Sequence, residues 1–171
     1  MGKIRAILFD MDGVLLDTES VTKICWYRAA EECGLENIQQ IFIECVGLNR
    51  SDTVDKLAKY FQTKDDARKF RERTSDLFDV VENEEGLSKM PFVDECLDSL
   101  KKAGYRLALA SSTRAVKVHP QLKKAGIFDY FETITTGDMV SHSKPDPEIY
   151  LKAAESLSLS PEECAAIRSE E

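Results

Sequence analysis

The chain has 171 residues, 43% hydrophobic and 32% charged, the size and mix of one soluble globular domain or of one carrying a sizeable insertion. Its 23 lysines and arginines against 31 aspartates and glutamates leave a net charge of −8, which disfavours nucleic acid and anionic membranes, since both are held by basic clusters. No run approaches the roughly 18 apolar residues of a membrane span, and the short apolar stretch after Lys3 and Arg5 ends in aspartates rather than in the form of a signal peptide.

In chain order, Ile4–Phe9 is an apolar run of strand length that drives into Asp10-Met11-Asp12-Gly13. Helical sequence follows with Val21, Ile24, Cys25, Ala29 and Ala30, stopping at Gly34, and Ile38–Val46 is a short helix ending at Gly47. Ser51 reads as an N-cap, with Val54, Leu57, Ala58 and Phe61 at helical spacing behind it. Thr63 with Asp66 reads as a capping box before the face Ala67, Phe70, Thr74, Leu77, Phe78 and Val81. The pattern changes after residue 87. Phe92–Ala103 is an amphipathic helix closed by Gly104, and Arg106–Ala110 is a strand leading to Ser111-Ser112-Thr113. Ala115, Val118, Leu122 and Ala125 mark a helix closed by Gly126; Phe131–Thr136 is a strand, Pro147–Leu157 a helix, and Cys164–Ile167 a strand after the turn Ser160–Glu163. Such alternation predicts an α/β parallel sheet with covering helices. Residues 1–16 and 88–171 are expected to form this core, and residues 17–87 an inserted all-helical domain able to cap the sheet edge where it leaves the core.

Asp10 and Asp12 stand where a strand ends, the edge at which open α/β sheets bind ligands. Two carboxylates that close repel unless a cation lies between them or one keeps a proton, so the pair asks for a metal, a phosphate reaction, or both. The EF-hand is excluded, because its loop needs a third oxygen ligand at position five and glycine at six. Two further polar signals follow later strands: Ser111-Ser112-Thr113, and Lys144-Pro145. Hydroxyls and amides at a helix start suit phosphate oxygens, and lysine is a compact positive charge for a phosphoryl group. Cys25, Cys33, Cys45, Cys96 and Cys164 are odd in number and form no Cys-x-x-Cys pair, so they are expected to be buried, reduced thiols of a cytoplasmic protein. His119 and His142 are expected at the surface, and Trp26 in packing.

The stretch Phe9-Asp10-Met11-Asp12-Gly13-Val14-Leu15-Leu16-Asp17-Thr18-Glu19 resembles the first motif of the haloacid dehalogenase superfamily, closest to its phosphatases and β-phosphoglucomutase-like enzymes with a helical cap. Ala108–Arg114 resembles the second motif and Ser143–Tyr150 the third. The resemblance implies a Rossmann-like core and a set of roles. Asp10 would be the nucleophile that forms an aspartyl-phosphate, and Asp12 the general acid and base. Mg²⁺ would sit on Asp10 and on the Asp12 backbone carbonyl, while Ser111, Ser112 and Lys144 would hold the phosphate.

Two departures shape the functional expectation. Arg168 and Ser169 occupy the positions where the family's fourth motif places acidic metal ligands, with Glu170 and Glu171 just beyond, so the chain is expected to be short at its C-terminus. In the cap, Gly47-Leu48-Asn49-Arg50 resembles the substrate-contacting segment of mutase-like members, with Gly47, Asn49 and Arg50 as candidates. The mutase pattern also has a histidine and a lysine where this chain has Thr22 and Val46. The expected function is therefore a Mg²⁺-dependent phosphatase of small phosphorylated metabolites, acting as a monomer without nucleic acid or membrane. The alternatives are a β-phosphoglucomutase-like phosphomutase, and a weakly active or inactive relative that retains only phosphate or partner binding.

Overall fold

The computed structural model describes residues 3–46, 48, 50–142 and 144–169. The chain divides into two compact units, Met1–Asp17 with Leu87–Glu170, and Thr18–Gly86. The first unit is built on strands β1 (Ala6–Phe9), β2 (Arg106–Ser111), β3 (Thr133–Thr136) and β4 (Cys164–Ile167), all parallel in the order β3-β2-β1-β4. The order explains why β1 is apolar at every position. As an inner strand it buries both faces: Ile7 and Phe9 join Leu107, Leu109, Leu97, Val118 and Leu122 on one side, and Ala6 and Leu8 join Ala108, Ala110, Ile149 and Ala153 on the other.

The sheet grows outward from β1 through β2 to β3, then the chain crosses to add β4 on the far side of β1. The reversal of direction falls at the C-terminal end of β1, the position at which such sheets open a ligand crevice. Phe9 pairs with Leu109 on one side and with Ile167 on the other, and the Asp10 amide donates to the Ile167 carbonyl at 2.9 Å. Asp10 is thus the first residue past the strand, still anchored to a neighbour.

The helices of the first unit are labelled here with those of the second in chain order: α1 (Thr18–Cys33), α2 (Ile38–Cys45), α3 (Arg50–Leu57), α4 (Lys64–Glu84), α5 (Val93–Lys102), α6 (Ala115–Lys124) and α7 (Glu148–Ser156). In the second unit Trp26 packs edge-on against Phe42 and Phe70, with centroids 5.3 and 5.5 Å away, and α1 is clipped to α4 by a bidentate Arg73–Glu32 pair at 2.6 Å. No helix among the described residues is long and apolar enough to cross a membrane.

Several local expectations are corrected. Ser51 lies inside α3, which starts at Arg50. Thr63 caps α4 by accepting from the Asp66 amide at 3.1 Å, but its hydroxyl, rather than its backbone N–H, donates to the Asp66 carboxylate. The strand expected from Phe131 starts at Thr133, because Phe128–Tyr130 is a 3₁₀ turn that directs Phe131 into the core. All five cysteines are free, but only Cys25 and Cys45 are buried; Cys33 and Cys96 are exposed. Burial pushes the Cys25 and Cys45 thiols up.

The segments that leave the first unit and return to it lie side by side. The Asp17 amide donates to the Ser88 carbonyl at 2.9 Å and the Met90 amide to the Leu15 carbonyl at 3.0 Å, with Leu16 and Lys89 forming an antiparallel bridge. Just beyond, Phe92 takes a left-handed backbone, φ 65° and ψ 16°, and the residue is 77% exposed. A left-handed L-residue costs roughly 1–2 kcal/mol, offset in part by the extra unfolded freedom of glycine. Phe92→Gly is therefore expected to stabilise the fold by about 0.5–1 kcal/mol. Urea denaturation at constant m-value checks this; a lower midpoint would show that the ring makes a stabilising contact.

Candidate active site

Three connections converge at the C-terminal ends of β1, β2 and β3. Asp10, 6% exposed, lies just past β1. Its Oδ1 accepts the Met11 amide at 2.8 Å, and its Oδ2 lies 2.5 Å from the Lys144 ammonium. Lys144 comes from the loop before α7, and its Nζ sits 5.3 Å from the centroid of the Tyr150 ring, a cation–π arrangement that orients a flexible side chain. The Tyr150 hydroxyl is buried without a hydrogen-bond partner among the described residues. Burial pushes its phenol up, against the pull of the Lys144 charge.

Asp12 lies in the turn after β1, half-buried. Its Oδ2 accepts the Thr113 hydroxyl at 3.0 Å and the Ser111 hydroxyl at 3.4 Å. Ser111 is fully buried at the end of β2, and its Oγ also accepts the Thr113 amide at 3.1 Å, a serine turn that folds the chain back on itself. Asp10 Oδ2 thus faces a cation, and Asp12 Oδ2 accepts from two hydroxyls.

The turn after β2 is braced from β3. The Gly137 amide donates to the Thr113 carbonyl at 3.0 Å, and a Cβ on Gly137 would lie 2.0 Å from the Ser112 carbonyl oxygen. Only glycine fits without a backbone shift. Gly137→Ala is expected to cost about 2 kcal/mol or more, the upper part of the overpacking range, since the obstacle is main chain. The lowered midpoint in thermal or urea unfolding checks it, and an unchanged midpoint would rule out the close approach. Asp138, next in sequence, accepts the Thr136 hydroxyl at 2.6 Å and the Ala115 amide at 3.2 Å. It thereby closes the start of α6 from β3, and these bonds hold its carboxyl below the usual range.

Of the residues singled out in the sequence, Asp10 meets Lys144, and Asp12 meets Ser111. The Ser112 side chain is exposed. Arg50 opens α3, while Gly47 and Asn49 lie outside the described residues, as do Glu170 and Glu171. Arg168, exposed, and Ser169 follow β4 on the side of β1 that bears Asp10. Sequence reasoning named Thr113 only as part of a polar turn and passed over Gly137. A hydroxyl two residues beyond a strand end was the signal for the first; a lone glycine in a loop offered little for the second.

Carboxylates just past an inner parallel strand, beside a lysine and a hydroxyl-lined turn at the switch point of the sheet, define an α/β enzyme that handles phosphoryl groups. The chain belongs to the haloacid dehalogenase-like hydrolase family, whose model matches residues 7–168. It is 33% identical over 159 residues to a phosphorylated carbohydrates phosphatase of Thermotoga maritima, covering 93% of this chain and 73% of that protein. It is 28% identical over 176 residues to the β-phosphoglucomutase of Bacillus subtilis, covering 98% and 76%. A crystal structure of a provisionally assigned β-phosphoglucomutase from Thermotoga maritima superposes with a TM-score of 0.76 at 32% identity, covering 95% of this chain and 75% of that one. Membership makes this chain an enzyme of phosphate-ester hydrolysis or transfer.

Proposed function

We propose that this protein is a Mg²⁺-dependent phosphatase of small phosphorylated metabolites, sugar phosphates among them, working through an aspartyl-phosphate on Asp10. The observation that carries the reading is the Asp10–Lys144 pair: a 6% exposed carboxylate just past an inner strand with an ammonium 2.5 Å from it. A phosphate drawn to the lysine arrives within reach of the carboxylate, which is the positioning that phosphoryl transfer chiefly requires.

In the first step an Asp10 carboxylate oxygen bonds to phosphorus and the bond from phosphorus to the leaving oxygen breaks, while Asp12 in its acid form gives that oxygen a proton. In the second, Asp12 as carboxylate takes a proton from water as the water oxygen bonds to phosphorus. The bond to Asp10 then breaks and inorganic phosphate leaves. Lys144, with the Ser111 hydroxyl and the amides of the turn after β2, balances the phosphoryl oxygens. The hard oxygens of the Asp10 carboxylate and the Asp12 backbone carbonyl fit Mg²⁺, which is commonly bound through one or two carboxylates together with substrate phosphate and water. When bound, Mg²⁺ adds positive charge where the transferring group is most negative. On sequence alone, substrate recognition is assigned to Gly47, Asn49 and Arg50.

The Thermotoga phosphatase relative supports hydrolysis, and the Bacillus mutase relative supplies the competing outcome. Incubation with Mg²⁺ and a panel of hexose 1- and 6-phosphates separates them. Release of inorganic phosphate from several sugar phosphates is expected. Interconversion of the 1- and 6-phosphates without phosphate release would assign a mutase, and no turnover of either kind would leave a phosphate-binding relative.

A further inference from the structure

Lys144 is carried by a loop, yet its ammonium lies 2.5 Å from Asp10 Oδ2. Helix α7 does much of the holding. Lys152, one turn into α7, donates to the Met139 carbonyl at 2.5 Å. Glu148, in the first turn, reaches back along the chain: its Oε1 accepts the Ser141 amide at 2.8 Å and its Oε2 accepts the His142 amide at 2.7 Å. The same Oε2 lies 3.0 Å from His142 Nδ1. Asp146 closes the segment from the other side, its Oδ1 accepting the Glu148 amide at 2.9 Å.

An acidic residue in the first turn of a helix is commonplace, since it complements the macrodipole. That role leaves the side chain free to point into solvent. Glu148 instead spends both carboxylate oxygens on consecutive backbone amides, which fixes the peptide planes of residues three and two before Lys144, and these bonds hold its carboxyl below the usual range. His142, Asp146 and Glu148 bring their ligand atoms within 4.8 Å of one another, but the hydrogen bonds among them commit these groups to shaping the loop.

We propose that Glu148 is a positioning residue for Lys144, acting through the amides of Ser141 and His142 to set where the ammonium meets Asp10 and the phosphate. The role in turnover rests on the reading of Lys144 as a phosphate-holding group; the role in placing Lys144 does not.

Two measurements on the same proteins test it. Trace labelling of lysines with acetic anhydride, read by peptide mass spectrometry, reports how well Lys144 is held. In Glu148→Ala its labelling rate is expected to rise several-fold, towards that in Asp10→Asn, while exposed Lys69 on α4 stays unchanged. Glu148→Gln keeps one acceptor oxygen and falls between. In turnover of p-nitrophenyl phosphate, Glu148→Ala is expected to lose about 10²-fold in kcat/KM, the order associated with an ångström of misplacement. In a Lys144→Ala background the same change is expected to cost less than about threefold, because residues acting through one another are not additive. Unchanged labelling of Lys144, or losses that multiply in the double variant, overturns the proposal. Should Glu148→Ala not fold by circular dichroism, the labelling of Glu148→Gln decides. An absence of Asp10-dependent hydrolysis in the unaltered chain removes the phosphatase reading but leaves the labelling result to judge Glu148.

Discussion

Asp10→Asn is expected to lower Mg²⁺-supported hydrolysis of p-nitrophenyl phosphate on the order of 10⁴-fold or more, the scale on which loss of a covalent nucleophile is felt. The amide is nearly the same size and its oxygen still accepts the Met11 amide, the bond that Asp10 Oδ1 now makes at 2.8 Å. What disappears is the negative charge, and with it both the attacking oxygen and the ion pair to Lys144. Circular dichroism should therefore report an unchanged fold beside a near-complete loss of turnover. Acid-quenched incubation with ³²P-labelled acetyl phosphate gives the second readout: a labelled protein band in the unaltered chain and none in the variant. A variant within tenfold of the parent would mean that water attacks phosphorus directly and that Asp10 serves only as a ligand.

Asp12→Asn carries the second large effect, and its size should depend on the leaving group. General acid and base groups contribute typically about 10²–10⁴-fold. A p-nitrophenolate departs without help, whereas the alkoxide of a sugar must be protonated as it leaves. The first step is thus expected to survive in the variant with the aryl ester and to fail with a sugar phosphate. The second step needs a proton taken from water with either substrate. Rapid mixing with p-nitrophenyl phosphate should show a burst of about one nitrophenol per enzyme followed by slow turnover, and sugar phosphates should show no burst. Equal losses on both substrates with no burst would place Asp12 outside proton transfer.

What could be read ahead of the structure depended on how local the cause was. Ala6–Phe9 is apolar at every position because β1 is buried on both faces, a one-dimensional consequence of being an inner strand. That β4 returns to the far side of β1 leaves no mark in Cys164–Ile167, since any short apolar strand could have paired at either edge. The proximity of Asp12 to Ser111 follows once both are assigned to neighbouring strand ends. The part played by Thr113 does not, because it depends on the direction of a hydroxyl rather than on spacing. Glu148 was hidden by its ordinariness, an acid at a helix start, and Gly137 by the absence of any side chain to interpret. Phe92 gave the wrong cue altogether: nothing in an aromatic residue announces a left-handed backbone. Cys33 and Cys96 face solvent although cysteine is among the most often buried residues; the acidic neighbours Glu31 and Glu32 of the one, and Asp94, Glu95 and Asp98 of the other, were the local sign of it.

The paired segments Leu15–Asp17 and Ser88–Met90 have a consequence for how such a protein can change over generations. Their backbone bonds fasten the outgoing and incoming chain to each other whatever is strung between them. Closing a longer or shorter excursion between fixed ends costs little, about 0.6 kcal/mol for each doubling of length. The stretch between them behaves as an exchangeable cassette, free to be lengthened, trimmed or replaced by recombination while the aspartates at the end of β1 stay in register.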